Sequence, residues 1–253
     1  MVQWCVGNLY FEHRGEIMNF DANPDIWRIM NILWGKHLDV ELIYGNGSGF
    51  CCDVLNSFAT TFSKDSMSQD VIRIWGANGK STIVDKAIIS ERTLTKVNNF
   101  AKQYHSIGNI MPLPNVLNSP HSGRANFNEM GDYFDNFLDF VKCHLNEIDE
   151  DEPKFKLKLN DEGECYFKKF SYREFVEAHL LQPFFSDSEY KKIKKLDFRK
   201  FLSGEELMNK FIDQSLLIIK KRELLIALRL KEMTNEEEWS KIRILLKKYS
   251  ISV

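Results

Sequence analysis

Apolar residues recur with a helical period in several stretches of the chain. In residues 25–34 they fall at Ile26, Ile29, Met30 and Leu33, behind an Asn-Pro pair of the kind that starts helices. A stripe of Phe134, Phe137, Leu138 and Val141 marks a second amphipathic helix, and Ser203 with Glu206 forms a capping signal ahead of a third. The pattern predicts helices over residues 25–34, 91–104, 132–141, 172–181, 203–232 and 235–249.

Alternating and β-branched runs separated by glycine-containing turns predict three hairpins. They pair residues 39–44 with 50–55, 71–75 with 81–85, and 155–159 with 165–167. Asn78-Gly79, between the second pair, favours the positive φ angles of a tight turn. Residues 106–128 hold three of the six prolines and predict an ordered loop.

These elements predict an α+β fold, in which a mixed or antiparallel sheet of hairpins is backed by helices and closed by a C-terminal helical subdomain. The acidic run at residues 146–152 is the best internal boundary, because clustered like charge ahead of a proline disfavours packed structure. We therefore expect an α+β part over residues 1–148 and a hairpin with helices over residues 149–253, packed together as one unit.

Composition narrows the class of protein. The chain has 34 Lys and Arg against 36 Asp and Glu, and a net charge of −2 provides no global field to attract nucleic acid or an anionic membrane. No apolar run is long enough to cross a bilayer, and residues 1–5 lack the profile of a signal peptide. These features predict a soluble, cytoplasmic protein.

Residues 76–81 read Gly-Ala-Asn-Gly-Lys-Ser and end like a phosphate-binding loop. The spacing is wrong, because Ile74 stands where the loop requires its first glycine. The residues after Ser81 are strand-like and open no helix that could hold a phosphate at its N-terminus. The segment is therefore interpreted as a hairpin turn.

The densest group of polar residues lies in and after the proline-rich segment. Long loops between regular elements often present catalytic side chains, and this one suggests a site at His105, Asn109, Arg124, Asp132 and Asp135. A structural interpretation stays open. Gly-Asn and Asn-Ser pairs form turns, Asp132 can cap a helix, and Arg124 can hold loop carbonyls.

Part of this segment resembles a nuclease family. Ile107-Gly108-Asn109, Leu113-Pro114, Asn118 and the region of Phe127 are similar to a stretch of the HNH domains in restriction-type endonucleases. The resemblance implies a ββα-metal site in which Asn109 is the loop asparagine and organises the loop. In a degenerate form of that site, His105 would be the base, Arg124 would bind phosphate, and Asp132 or Asp135 would point toward a divalent metal. The family's Asp-His pair corresponds at best to Asp85-Lys86, and a lysine, protonated at neutral pH, provides neither base nor metal ligand.

A second resemblance covers nearly the whole chain. Residues 32–36, 106–112, 132–135, 175–185 and 212–229, together with Arg124, are similar to a bacterial family known as a domain of unknown function. The resemblance implies a common fold and a setting among mobile elements and phage defence, without functional residues.

A lysine cluster is the main basic patch of the chain. Its cations alternate with aromatic residues between residues 184 and 198, a combination that suits a nucleic-acid backbone; the four candidates are Lys191, Lys192, Lys194 and Lys195. Asp187, Glu189 and Asp197 lie close by in the sequence, so a solvated helix face is the alternative.

The long C-terminal helix is apolar on more than one face, which predicts burial against several neighbours or a homodimer. Two functional hypotheses follow. The first is a defence-type effector that acts on nucleic acid, in the form of a degenerate metal-dependent nuclease. The second is a non-catalytic binding or sensor module for a protein or small ligand.

Overall fold

The computed structural model describes residues 11–13, 16–18, 23–42, 44, 49–55, 71–75, 81–85, 90–103, 106–115, 138, 141–142, 144–145, 161–184 and 205–248. The helices in this part of the chain are α1 (Pro24–Met30), α2 (Lys36–Leu38), α3 (Glu91–Gln103), α4 (Asp161–Phe167), α5 (Tyr172–Ala178), α6 (Glu205–Met233) and α7 (Glu236–Lys248). The strands are β1 (Phe11–His13), β2 (Glu16–Met18), β3 (Phe50–Val54), β4 (Val71–Trp75), β5 (Ser81–Asp85) and β6 (Ile110–Pro114).

The first helical segment begins as its sequence predicts. Asn23 caps α1 by accepting a hydrogen bond from the Asp25 amide at 2.9 Å, and proline occupies the first helical position. A π-helical turn at Asn31–Gly35 joins α1 to α2. The helices predicted at residues 91–104, 172–181, 203–232 and 235–249 are also confirmed, with ends that differ by a few residues. In the predicted helix at 132–141, Leu138 and Val141 are helical and buried, and its other residues lie outside the described part.

The described strands form three antiparallel pairs. One is the predicted hairpin of β4 with β5, in which Val71 faces Asp85 and Trp75 faces Ser81. β1 pairs with β2, and β3 pairs with β6. With these pairs and its many helices, the described part is mostly helical with small antiparallel ladders, which agrees with the α+β class.

The predicted strand at residues 39–44 is wrong. Asp39 adopts a left-handed conformation (φ 54°) that ends α2. The Val40 amide then donates to the Gly35 carbonyl at 3.1 Å, and the Leu42 amide donates to Oδ1 of Asn31 at 2.8 Å. Because these amides close the end of a helix, they are not available to a ladder.

The true partner of β3 lies inside the segment predicted to be a loop. Residues 107–109 form a 3-10 turn, and β6 follows it at once, buried along its whole length. Amide-to-carbonyl bonds from Leu55 to Asn109 and from Asn115 to Gly49 show that the hydrogen-bonded pairs are the odd-numbered positions of both strands. Pro112 and Pro114 therefore point their nitrogens away from β3, so the missing N–H groups cost no ladder bond.

The third predicted hairpin is wrong as well. Its second strand, residues 165–167, belongs to α4. Gly163, Tyr166 and Phe167 are buried, and Phe170 is partly buried, so the apolar positions recur at i, i+3, i+4 and i+7. That spacing is helical, and it is visible only over a window longer than the three residues of the predicted strand. Residues 155–159 lie outside the described part.

Helix α6 is the element around which the others pack. It contacts the π turn at 31–35, the 3-10 turns at 107–109 and 182–184, and both α3 and α7. Its inner face is buried and includes Ile212, Ile219, Ile226 and Leu230. None of the described helices is at once long and apolar enough to cross a membrane.

Candidate functional site

Asn109 is the predicted site residue that falls within the described part of the chain. It ends the 3-10 turn directly before β6 and is completely buried. Its carbonyl accepts a hydrogen bond from the Leu55 amide at 2.7 Å, and its amide donates to the Ser106 carbonyl at 2.9 Å. Asn109 therefore joins the turn to β3. The remaining predicted residues lie outside the described part: His105, Arg124, Asp132, Asp135, Lys191, Lys192, Lys194 and Lys195.

The turn that contains Asn109 is held by a buried arginine of α6. Arg222 has no exposed surface, and its Nη1 donates to the carbonyls of Ile107 at 3.3 Å, Gly108 at 2.9 Å and Ile110 at 2.7 Å. A guanidinium offers five donors in a fixed plane, which suits a ring of converging carbonyls. The carbonyls of Ile107, Gly108 and Ile110 thus surround Arg222, while that of Asn109 is directed to Leu55.

The other edge of the same guanidinium reaches the end of α5. Nε and Nη2 of Arg222 donate to the His179 carbonyl at 3.2 and 3.0 Å, and Nε1 of Trp34 donates to the preceding carbonyl, that of Ala178, at 2.9 Å. The last carbonyls of a helix have no intrahelical partner, and here two side chains from distant segments supply one. Arg222 also lies over the Trp34 ring, 5.7 Å from its centroid.

The chain leaves α5 through a left-handed residue. Leu180 has φ 54°, and the amides of Leu180 and Leu181 donate back to the carbonyls of Glu177 and Val176 at 3.3 and 2.9 Å. This is the Schellman arrangement, in which glycine is the usual left-handed residue. Leu180 is buried instead, so its apolar contacts offset the strain of its backbone.

His179 lies at the centre of an aromatic cluster. Its ring is 4.8 Å from that of Phe175 and 5.8 Å from that of Phe170, centroid to centroid, and its Nε2 is 2.8 Å from the Tyr166 hydroxyl. Burial, with smaller contributions from Arg222 and His37, lowers the pKa of His179 to about 3, so the imidazole is neutral at physiological pH. Its Nδ1 has no hydrogen-bond partner among the described residues.

Glu223, the residue after Arg222, is a buried carboxylic acid. Its side chain packs over Gly108 so closely that a Cβ atom there would lie 2.5 Å from Cγ of Glu223 and 2.4 Å from the Ile219 carbonyl oxygen. Burial raises the pKa of Glu223 to about 7, and Ser106 and Lys220 oppose the shift. Helix α6 thus meets the 106–110 segment through one permanent cation and one carboxyl group that titrates near neutral pH.

An open depression of about 590 Å³ lies beside the π turn. It is lined by Asn31, Gly35, Lys36, Asp39, Val40 and Glu41. These residues belong to a single helix end, and Oδ1 of Asn31 already accepts the Leu42 amide. The depression therefore follows from the way α2 terminates.

The outer face of α6 has a different character from its inner face. Leu217, Leu224 and Leu228 are exposed by 41, 59 and 50% on one line of the helix. Lys221 and Lys231 are exposed on the same line. The five positions 217, 221, 224, 228 and 231 are separated alternately by four and three residues. This is the spacing of a coiled-coil seam. We call these five residues the α6 seam.

Arg222, His179 and Tyr166 are not among the site residues that the sequence predicts. A signal for Arg222 was present, because Ile218, Ile219 and Ile226 stand four and three residues before it and four after it, on the same face of the predicted helix. An arginine in that position is either buried with partners or breaks the apolar face. His179 and Tyr166 carried no comparable signal, since the helix end that joins them forms only in the folded chain.

Among the described residues, no group of three or more His, Cys, Asp or Glu side chains is placed to hold a metal ion. A comparison with protein-family models found no match, and searches of curated proteins and of solved structures found none either. The resemblances to the HNH nucleases and to the uncharacterised bacterial family therefore stay predictions.

Proposed function

We propose that this chain is a non-catalytic binding module that engages a helical segment of a partner protein along the α6 seam. The observation that carries the proposal is the line of three exposed leucines on a helix whose opposite face is buried. A soluble surface tolerates scattered apolar residues, whereas several in line at seam spacing are typical of a helix that packs against another helix.

The anchoring of α6 supports the same function. The 29-residue helix is held on its inner side by Arg222 and by contacts with the turns at 31–35 and 107–109. Side chains at the start of α3 also join it to α6. Ser90 and Thr93 donate hydrogen bonds to Glu205, and Asn209 donates to Thr93. Lys96 forms an ion pair with Asp213. A surface that is rigid before binding loses little conformational entropy when a partner docks.

Binding of a synthetic helical peptide tests the proposal. The probe has about three heptads, leucine at its seam positions and no net charge. Its fluorescence anisotropy is measured against the full chain, and we expect saturable binding that the paired substitutions Leu224→Gln and Leu228→Gln weaken at least roughly tenfold, because each removes an apolar anchor. The matched control is Ile244→Gln on α7, which replaces a side chain that is 68% exposed and outside the seam.

The nuclease hypothesis is the alternative to a non-catalytic function. Its candidate residues other than Asn109 lie outside the described part of the chain. Incubation of the full chain with Mg²⁺ or Mn²⁺ and with single- and double-stranded DNA and RNA tests it directly. Cleavage that needs the metal and disappears in His105→Ala would contradict a non-catalytic function.

A further inference from the structure

The exposed charges beside the leucine line of α6 are mostly cations. Between Leu217 and Lys231 every exposed ionisable side chain is a cation, namely Lys220, Lys221, Arg229 and Lys231. The only acidic residue in this stretch, Glu223, is 7% exposed and faces Gly108 on the inner side. The leucine line therefore lies among cations, although the whole chain has a net charge of −2. Exposed carboxylates stand just beyond its two ends, at Asp213, which pairs with Lys96, and at Glu232.

Two of these cations stand within the seam itself. Lys221 lies between Leu217 and Leu224, and Lys231 follows Leu228. A charged residue at a seam position restricts the choice of partner, because a facing apolar residue leaves the charge unpaired and a facing like charge repels it. A facing carboxylate removes both penalties.

We infer that the α6 seam selects an acidic amphipathic helix, with apolar residues opposite Leu217, Leu224 and Leu228 and with Asp or Glu opposite Lys221 and Lys231. This inference rests on the proposed function and names the chemistry of the partner. It accounts for the sign of the charge, for the positions of the two lysines and for the narrow line of leucines.

A second copy of the chain fits less well. In a parallel pair Lys221 faces Lys221 and Lys231 faces Lys231, which is repulsive. In an antiparallel pair that brings Leu217 opposite Leu228, Lys221 faces Leu224 and meets no carboxylate. Lys231 faces Gln214 in that register, so the homodimer predicted from the apolar pattern places no carboxylate directly opposite either seam lysine.

A membrane surface and a nucleic acid also fit less well. Helices that lie in a bilayer interface bury a wide apolar face, whereas lysines flank the leucines here at positions 220 and 221. A phosphate backbone would pair with the lysines but would leave three leucines against a charged, hydrated surface. Only a surface that alternates apolar and acidic groups satisfies both kinds of residue.

Two further peptides test the inference. Both keep the leucines of the neutral probe, and they differ only in carrying Glu or Lys at the positions that face Lys221 and Lys231. We expect the acidic peptide to bind the full chain at least roughly tenfold more tightly than the basic one, with an affinity that falls as salt rises. The double variant Lys221→Glu and Lys231→Glu should reverse the preference.

The matched control is the double variant Arg243→Glu and Lys247→Glu, which makes the same change of charge on the exposed face of α7. It should leave the preference for the acidic peptide in place. Equal binding of both peptides, lost in Leu224→Gln with Leu228→Gln, would overturn the acidic selectivity and leave the proposed function standing. Absence of binding by any peptide would overturn both.

Three other measurements identify competing occupants. Light scattering that shows a dimer dissociated by Leu224→Gln with Leu228→Gln would assign the seam to a second copy. Co-sedimentation with vesicles of phosphatidylglycerol, lost in the same variant, would assign it to a membrane. Salt-sensitive binding of double-stranded DNA that is lost in Lys221→Glu with Lys231→Glu would assign it to nucleic acid, and each of these results would overturn the inference.

Discussion

Nη1 of Arg222 donates to the carbonyl oxygen of Gly108 at 2.9 Å, and the two residues lie on segments that are 114 positions apart in the chain. The contact is possible because Gly108 has no side chain to keep α6 away from the turn. It brings the centre of α6 against the entrance of β6, and the His179 carbonyl completes the shell around the guanidinium. The buried cation Arg222 therefore joins α5, α6 and residues 107–110 through backbone carbonyls.

Replacement of that cation should destabilise the protein strongly. Arg222→Met keeps much of the apolar volume but removes the guanidinium that donates to the buried carbonyls of Gly108, Ile110 and His179. We expect the free energy of unfolding to fall by about 3 kcal/mol or more, measured by urea denaturation. The control Arg229→Met alters an exposed arginine of the same helix and should change it by no more than about 0.5 kcal/mol. Equal effects would contradict the role of Arg222.

Two glycines should differ in their response to the same substitution. Gly108→Asn places a side chain where only 2.4 Å separates a Cβ from the Ile219 carbonyl oxygen, so we expect a loss of about 1–3 kcal/mol or failure to fold. Gly49 has φ +69°, and no atom of the described residues lies within 4 Å of the position that a Cβ would take there. Asparagine tolerates this backbone region better than most residues. Gly49→Asn should therefore lower the melting temperature less than Gly108→Asn does, as measured by thermal denaturation of both variants.

The buried imidazole of His179 should make stability depend on pH. Its pKa is about 3 in the folded protein and about 6.5 when the chain is unfolded, so the unfolded state binds the extra proton between these values. Stability is therefore full above pH 6.5 and falls as the pH drops toward 3, by up to about 1.4 kcal/mol per pH unit.

The difference in unfolding free energy between the wild type and His179→Gln, followed from about pH 7.5 to about pH 4.5, isolates this contribution. Tyr166→Phe serves as its control, because it removes the hydroxyl and keeps the buried imidazole. The loss of unfolding free energy at low pH that His179 causes should persist in Tyr166→Phe and disappear in His179→Gln. A wild type and a His179→Gln variant with parallel pH profiles would refute the assignment.

Glu223 should make the stability of the protein depend on pH in the opposite direction. Its folded pKa of about 7 lies above the ordinary value of 4.5, so the folded state binds the extra proton between pH 4.5 and 7. Stability from this group is present below pH 4.5 and is lost as the pH rises to 7. Glu223→Gln should thus be more stable relative to wild type at about pH 8 than at about pH 5, by roughly 2 kcal/mol. Glu232→Gln, at an exposed position of α6, should show no such change between the two pH values.

Periodicity in the sequence was sufficient to locate most of the helices and the hairpin of β4 with β5. These elements depend on neighbours three, four or two positions away, so the information lies within a short window. At residues 165–167 the pattern covers only three residues, which is too few to distinguish a strand from the helix that forms there. The chemistry proposed for His105, Arg124, Asp132 and Asp135 stays a prediction.

The tertiary structure alone decided which segments meet. The pairing of β3 with β6 joins Cys51 to Leu113 across a long connection, and no local pattern distinguishes that partner from the nearer residues 39–44. It also decided that Arg222 is inside and Leu224 outside, although both stand in one apolar helix. A helical period shows only which residues share a face. Burial depends on what packs against each face, and for α6 those neighbours come from distant segments of the chain, residues 31–35, 107–109 and 182–184.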